Sequence, residues 1–202
     1  MHGTKMAKRT ATIIGVVMVA LLIGLGVLWY RTSRPAPVLP QNADNKYEYM
    51  LQLISKGEKG RGYTAQEFQI LKQYALYENN EVYRQLAIAG FFFVKDRSQK
   101  AEALQILHSI TQNPGHILVL DAAIQAIGIL GSRSDGERIA RFLSHPDAEI
   151  RKITVRALAH IGDPAFRARL EPLAQSDPDE KVRAAVKEAL RKWKPSQPQS
   201  GR

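Results

Sequence analysis

The chain has 202 residues, of which 45% are hydrophobic, enough for one domain with a buried core, with or without a tail. It has no cysteine, which excludes disulfides, thiolate metal sites, cysteine nucleophiles and a lipidated cysteine. The formal charge is +10, and half of it lies in residues 1–34, around an apolar segment. The other half is a mild excess on a much larger body.

The apolar segment is residues 11–30 (ATIIGVVMVALLIGLGVLWY), which carry no charge. As a helix it would cover about 30 Å, the thickness of the hydrocarbon layer of a membrane. The sequence therefore predicts a transmembrane signal anchor after a short basic segment, residues 1–10. A cleaved signal peptide and a buried core helix are the alternatives. The first is disfavoured because the apolar run is long, and the second because it has no polar positions.

The basic residues before the anchor predict its orientation. Lys5, Lys8 and Arg9 precede the apolar run, and a short basic N-terminus favours the cytoplasmic side. We therefore expect a single-pass protein of the cell membrane. Its C-terminal domain is expected outside the cytoplasm, in the periplasm if the cell is Gram-negative.

Residues 31–63 are predicted to form a stalk. Pro35, Pro37 and Pro40 favour an extended spacer. A short amphipathic helix is expected at residues 46–56, followed by a glycine-rich break at residues 57–62.

From residue 64 onward the pattern is one of paired helices. Thr64 and Glu67 have the spacing of a capping box, in which each side chain bonds the backbone N–H of the other. Short connections make consecutive helices antiparallel neighbours. The predicted helices after the stalk are 64–77, 82–94, 99–110, 116–130, 135–143, 147–161, 164–175 and 179–193.

A repeat with a period of 32 residues relates residues 145–163 to residues 177–194. In each copy a proline is followed by an aspartate, Asp147 or Asp179, that is placed to cap the next helix. The aliphatic residues that follow recur at a helical period and are expected in the core. Gly131 and Gly162 are expected to end helices.

The sequence PDAEIRKITVRALAHIGDPA, followed by DPDEKVRAAVKEAL, resembles HEAT repeats, in particular the short bacterial kind also found in phycobilisome lyase-like proteins. The resemblance implies an all-α fold: a right-handed α-solenoid of about four antiparallel helix pairs over residues 64–194, then a disordered tail at 195–202. It also implies that the second helix of each pair lines a concave, protein-binding side. Residues 91–93, three phenylalanines, depart from the usual aliphatic pattern and could cap the first repeat.

The resemblance also assigns a structural role to two arginines. In the family, the arginine after the apolar position pairs with an aspartate of an adjacent turn. Arg151 and Arg183 occupy that position here. Their expected partners are Asp147, Asp179 or Asp163.

One row of side chains remains as a candidate binding surface. Lys152, Arg156 and His160 are spaced by four residues, opposite the apolar stripe of their helix. The corresponding positions of the neighbouring repeats extend the row, although a merely solvated face is the alternative. The predicted partner-binding residues are Gln125, Lys152, Arg156, His160, Glu188 and Lys192.

The sequence shows no catalytic or metal-binding pattern. The histidines from His108 onward are scattered over different helices and turns, without the spacing of a metal site. The run GEKGRG at residues 57–62 lacks the G-K-[ST] ending of a phosphate-binding loop. We therefore predict no enzymatic activity, no cofactor and no metal.

The preferred hypothesis is a membrane-anchored protein–protein interaction module, a scaffold or assembly factor for a membrane or envelope complex. A lyase-like protein that handles a chromophore or another small ligand is an alternative, suggested only by the repeat subtype. A nucleic-acid-binding solenoid is less favoured, because residues 132–194 hold 14 basic against 10 acidic residues.

Overall fold

The computed structural model describes residues 43–193, and every regular element within that range is a helix. The predicted segments at residues 1–10, 11–30 and 195–202 lie outside the described residues, as do the stalk prolines. None of the helices between residues 43 and 193 combines the length and the apolar character that a membrane span requires. The elements are α1 (Ala43–Glu58), α2 (Ala65–Tyr77), α3 (Glu81–Phe91), α4 (Arg97–Gln112), α5 (Ile117–Leu130), α6 (Arg133–Ile139), a 3-10 helix (Ala140–Ser144), α7 (Ala148–Ile161), α8 (Pro164–Leu170), α9 (Leu173–Ser176) and α10 (Glu180–Arg191).

The helices pack in two layers. The second helices α3, α5, α7 and α10 lie side by side in one layer, while α2, α4 and α6 follow one another in the other. The core lies between the layers, because each helix turns its apolar stripe inward. This arrangement is consistent with the predicted helical solenoid; its right-handed sense stays a prediction. Fully buried core residues include Leu71, Ile88, Leu107, Ile124, Ile127, Ile150, Leu158, Phe166 and Val186.

Local side chains start the helices, and two sequence predictions of this kind are confirmed. Thr64 and Glu67 form the predicted capping box at the start of α2. Asp147 and Asp179 each accept two backbone N–H groups in the first turns of α7 and α10. Carboxylates at these positions satisfy unpaired N–H groups and oppose the positive end of the helix dipole.

The second helices α5 and α7 approach each other closely at Gly128 of α5. A Cβ atom added there would lie 2.7 Å from both Cα and Cβ of Ala157 in α7. Gly128 has no room for a side chain, because the backbone of α7 is itself within reach. The two small residues therefore set the spacing of α5 and α7, on which the position of the neighbouring α7–α10 surface depends.

Helix α1 packs against α3, so the helical body extends before residue 64, into the segment that the sequence assigned to the stalk. Met50 and Leu53 are buried in the common core. Gly57 lies within α1 rather than in the predicted glycine-rich break. A Cβ atom at this position would approach Tyr63 Oη to 2.3 Å, so the site has no room for a side chain. The aromatic cluster at residues 91–93 lies under this helix: Phe91 is fully buried, and its neighbours are partly buried.

The predicted helix at residues 164–175 is wrong as a single element. Helix α8 ends at Leu170, and α9 begins at Leu173. Pro172 explains the interruption, because its ring removes one backbone donor and clashes with the carbonyl four residues earlier. The segment predicted at residues 135–143 likewise starts as α6 and ends in a 3-10 helix.

Both predicted helix stops are found, but their geometry differs. Gly162 ends α7 with φ 73°, the left-handed conformation that glycine adopts without a steric penalty. Gly131 ends α5 in an extended conformation, with φ −75° and ψ 174°. The turn after α5 therefore leaves the helix in a different direction, although both turns follow similar sequences.

Candidate functional site

A groove between α7 and α10 contains four of the six residues predicted to bind a partner. Arg156 and His160 line it from α7, Glu188 lines it from α10, and Lys192 lines it from the position directly after the end of α10. All four side chains are exposed. The groove has a volume of about 510 Å³, and the rest of its lining consists of Ala159, Ala185 and Ala189.

The helical period brings these residues together. Arg156 and His160 are one turn apart on α7, and Glu188 and Lys192 have the same spacing at the C-terminal end of α10. The opposite faces of both helices are anchored in the core by Leu158 and Val186, both fully buried. Since α7 and α10 are neighbours in one layer, the two polar rows face a common space.

Opposite charges within the groove lie close together. Lys192 Nζ is 2.7 Å from Glu188 Oε1, an ion pair between residues one turn apart. This contact lowers the pKa of the Glu188 carboxyl, and the positive charges of Arg156 and Arg191 lower it further. Glu188 is therefore held as a carboxylate among three cations.

The other two predicted residues lie outside the groove. Lys152 is turned toward Glu149, with which it forms an ion pair, and its side chain is only 17% exposed. Gln125 is exposed on α5 and donates a hydrogen bond from Nε2 to Asp121 Oδ1 at 2.6 Å. The structure thus brings four of the six residues together, and their role in binding stays a prediction.

Arg151, assigned a structural role in the sequence, is buried between two turns. Its Nε and Nη2 groups donate to the two oxygens of Asp177, each at 2.9 Å. Its Nη1 group donates to the carbonyls of His145 and Pro146. The carboxylate partner is thus Asp177, rather than Asp147, Asp179 or Asp163. Asp177 lies in the next turn, where a two-point pair with Arg151 can join successive repeats.

Arg183 makes the equivalent contacts with its own turn only. Its Nη1 group donates to the carbonyls of Asp177 at 2.7 Å and Pro178 at 3.0 Å. No side-chain carboxylate accepts a hydrogen bond from Arg183 within the described range, residues 43–193. The two arginines therefore share the carbonyl contacts of the repeat, whereas the carboxylate contact belongs to Arg151.

A buried contact between a histidine and an aspartate was not predicted from the sequence. His108 on α4 is 3% exposed, and its Nε2 lies 2.8 Å from Oδ1 of Asp135 at the start of α6. The same carboxylate accepts hydrogen bonds from the backbone N–H and hydroxyl of Ser132. His108 lies among the aliphatic residues of α4. This position in the sequence could have indicated that its side chain is buried in the core. The pair links successive first helices, a structural role.

The described residues offer no metal site: between residues 43 and 193, no group of three histidine, aspartate or glutamate side chains is placed to hold an ion. The groove has one carboxylate and one imidazole among its lining residues. Its exposed cations are chemically suited to pair with acidic groups.

A search of curated proteins gave no match to the chain. A comparison with protein families gave a match over residues 106–191 to the family described as HEAT repeats. The matched range begins within α4 and contains both helices that form the groove. The match supports a HEAT repeat family for this chain, in agreement with the paired helices of the fold.

Proposed function

We propose that the chain is a membrane-anchored HEAT-repeat module that binds a protein partner through the α7–α10 groove. HEAT repeats are helical modules of protein interaction, and this supports a protein partner over a small substrate. In the cell it would act as a scaffold or assembly factor for a membrane or envelope complex. The observation that carries the proposal is the meeting of Arg156, His160, Glu188 and Lys192 in one groove.

The groove has the features expected of a recognition surface. Arg156 makes no hydrogen bond or ion pair within the part of the chain that the structure describes, so its guanidinium is available to a partner. Lys192 is held by Glu188 in a solvent-exposed pair, which a competing carboxylate can replace at little cost. Neither residue is required by the core, in contrast to Arg151.

The membrane part of the proposal comes from the uncharged segment at residues 11–30 and the basic residues before it. A C-terminal reporter that is active only after export should be active, and a reporter that is active only in the cytoplasm should be inactive. The reverse pattern would overturn the extracytoplasmic placement. Recovery of the full chain in the soluble fraction would overturn the anchor itself.

The partner can be sought by crosslinking the full chain in membranes, followed by affinity purification. We expect a protein recovered with the native chain to be lost or strongly reduced with the double variant Arg156→Glu, Lys192→Glu. The control is the double variant Arg138→Glu, Arg97→Glu, which reverses two exposed charges on the first helices. The control should recover the partner as the native chain does.

Two results would contradict this assignment. Equal recovery of every partner by the groove variant, with its helical content intact, would move the binding surface elsewhere. Recovery of nucleic acid or a coloured ligand in place of protein would favour one of the alternative functions. Circular dichroism of each variant is needed to show that the fold is retained.

A further inference from the structure

We infer that the occupant of the α7–α10 groove is an acidic segment of a partner protein, recognised through aspartate or glutamate side chains. The inference rests on the proposed function, because it names the chemistry of the partner at the same site. It depends on three properties of the groove: its charge, the state of its cations and the size of the side chains between them.

The charge of the groove is positive. Arg156 and Lys192 line the groove, and the single carboxylate in the lining is that of Glu188, 2.7 Å from Lys192 Nζ. Two cations and one carboxylate leave the lining with a formal net charge of +1. Arg191, which precedes Lys192 in the chain, adds to the positive charge near Glu188. An acidic segment would neutralise this excess, whereas a basic one would be repelled.

The two cations that line the groove differ in whether they already have an acidic partner. Lys192 already has a carboxylate partner, Glu188, while Arg156 has none at hydrogen-bond distance among residues 43–193. Glu188 therefore occupies the place of an acidic group from a partner and competes with it for the same cations. An incoming carboxylate can bind Arg156 directly, and the planar guanidinium favours a two-point contact.

The space between the charges suits a peptide chain. Ala159, Ala185 and Ala189 form the remaining lining, and their methyl groups leave room for a peptide backbone to approach. The tail of this chain is not a suitable occupant, since residues 194–202 contain Lys194 and Arg202 and no acid. A nucleic acid is disfavoured by Glu188 and by the small net charge, because phosphate binding depends on many cations.

The test uses the full chain in detergent and a fluorescent synthetic peptide with glutamate at every fourth position in an alanine-rich sequence. Fluorescence anisotropy should show binding that weakens as salt is added. Arg156→Glu should weaken it on the order of tenfold, because it replaces an attraction with a repulsion. Glu188→Gln should strengthen it severalfold by removing the internal competitor. Arg138→Glu, on the other layer, should leave it unchanged.

Several results would overturn the inference. These are equal binding of a matched peptide with lysine in place of glutamate, no binding of the acidic peptide, and tighter binding of duplex DNA. Weaker binding after Glu188→Gln would also overturn it, since Glu188 would then be part of the attraction.

The experiments distinguish a failure of the proposed function from a failure of this inference. If Arg156→Glu, Lys192→Glu removes a protein partner from membranes but the acidic peptide does not bind, the interaction module stands and the acidic partner is wrong. If the peptide binds as expected but membranes yield no protein partner, the groove chemistry stands and the proposed function is wrong.

Discussion

Arg151 and Asp177 face each other across the junction between α7 and the turn before α10, with two parallel N–H to oxygen contacts of 2.9 Å. Arg151 is 9% exposed and Asp177 is 5% exposed. The remaining hydrogen bonds of Arg151 go to the carbonyls of its own turn. A single side chain thus fixes the geometry of two successive turns, and with it the relative position of the helices that form the groove.

Removal of Arg151 should therefore destabilise the chain. We expect Arg151→Ala to lower the free energy of unfolding by about 2–4 kcal/mol, because Asp177 is left buried without its cation. Arg183→Ala is the matched control, since it removes the equivalent carbonyl contacts without breaking a buried ion pair. Arg183→Ala should lower the free energy of unfolding by less than Arg151→Ala does. Urea unfolding followed by circular dichroism measures both, and equal costs would contradict the special role of Asp177.

The pH dependence of stability should also depend on this pair. Hydrogen bonding to Arg151 lowers the pKa of Asp177 below its ordinary value of 3.8. The stabilisation is therefore fully present above that value and is lost as the pH falls through the lower folded-state pKa. We expect the native chain to lose this stabilisation as it is acidified below pH 3.8, the ordinary pKa of the carboxyl, and Asp177→Asn to show a shallower decline.

The comparison for this prediction is made at two pH values. At neutral pH, Asp177→Asn should be less stable than the native chain, because an amide cannot replace the charge. At the acid end the two should converge, since the native carboxyl is then protonated. A constant difference across the titration would show that the charge of Asp177 does not contribute.

The carboxylate of Asp135 has two roles, and we expect its removal to cost more than the loss of a helix cap. It caps α6 through Ser132 and also bonds the buried His108. Asp135→Ala should lower the free energy of unfolding by about 2–4 kcal/mol, the sum of a lost cap and an unpaired buried ring. Asp96→Ala is the control: Asp96 caps α4 through contacts with Ser98 and Gln99 only. Its loss should lower the free energy of unfolding by less than Asp135→Ala does.

Gly128 should not tolerate alanine, although alanine normally favours a helix. An added Cβ would lie 2.7 Å from both Cα and Cβ of Ala157 on the neighbouring helix α7. We expect Gly128→Ala to destabilise the chain by about 1–3 kcal/mol through overpacking. Adding Ala157→Gly should recover part of this loss, but not all, because the contact with Cα of residue 157 remains. Thermal unfolding of the single and double variants measures the coupling.

The sequence alone was sufficient to predict structural features that depend on residues close together in the chain. Asp147, Asp179 and the Thr64–Glu67 pair act on backbone groups within three residues, so their capping roles follow from spacing. The helical periods likewise predicted which faces of α7 and α10 are buried. The match to HEAT repeats over residues 106–191 covers the part of the chain in which the repeat is clearest.

Contacts between distant residues could not be predicted in the same way. Asp177 is 26 residues from Arg151, and nothing in the spacing favours it over Asp147, Asp163 or Asp179. His108 and Asp135 have no shared spacing pattern, because they belong to different helices and only the stacking of those helices brings them together. The predicted binding row was divided by a local contact instead: Lys152 pairs with Glu149, three residues earlier on its own helix, and lies outside the groove.

The sequence by itself determined the all-α class, the pairing of helices and the residues that begin them, because these depend on periodicity and on backbone groups nearby. The tertiary structure decided which of the exposed side chains share a space. Arg156, His160, Glu188 and Lys192 lie in one groove because α7 and α10 pack side by side. That neighbour relation depends on core packing between the layers and on the Arg151–Asp177 pair, both of which join residues far apart in the chain.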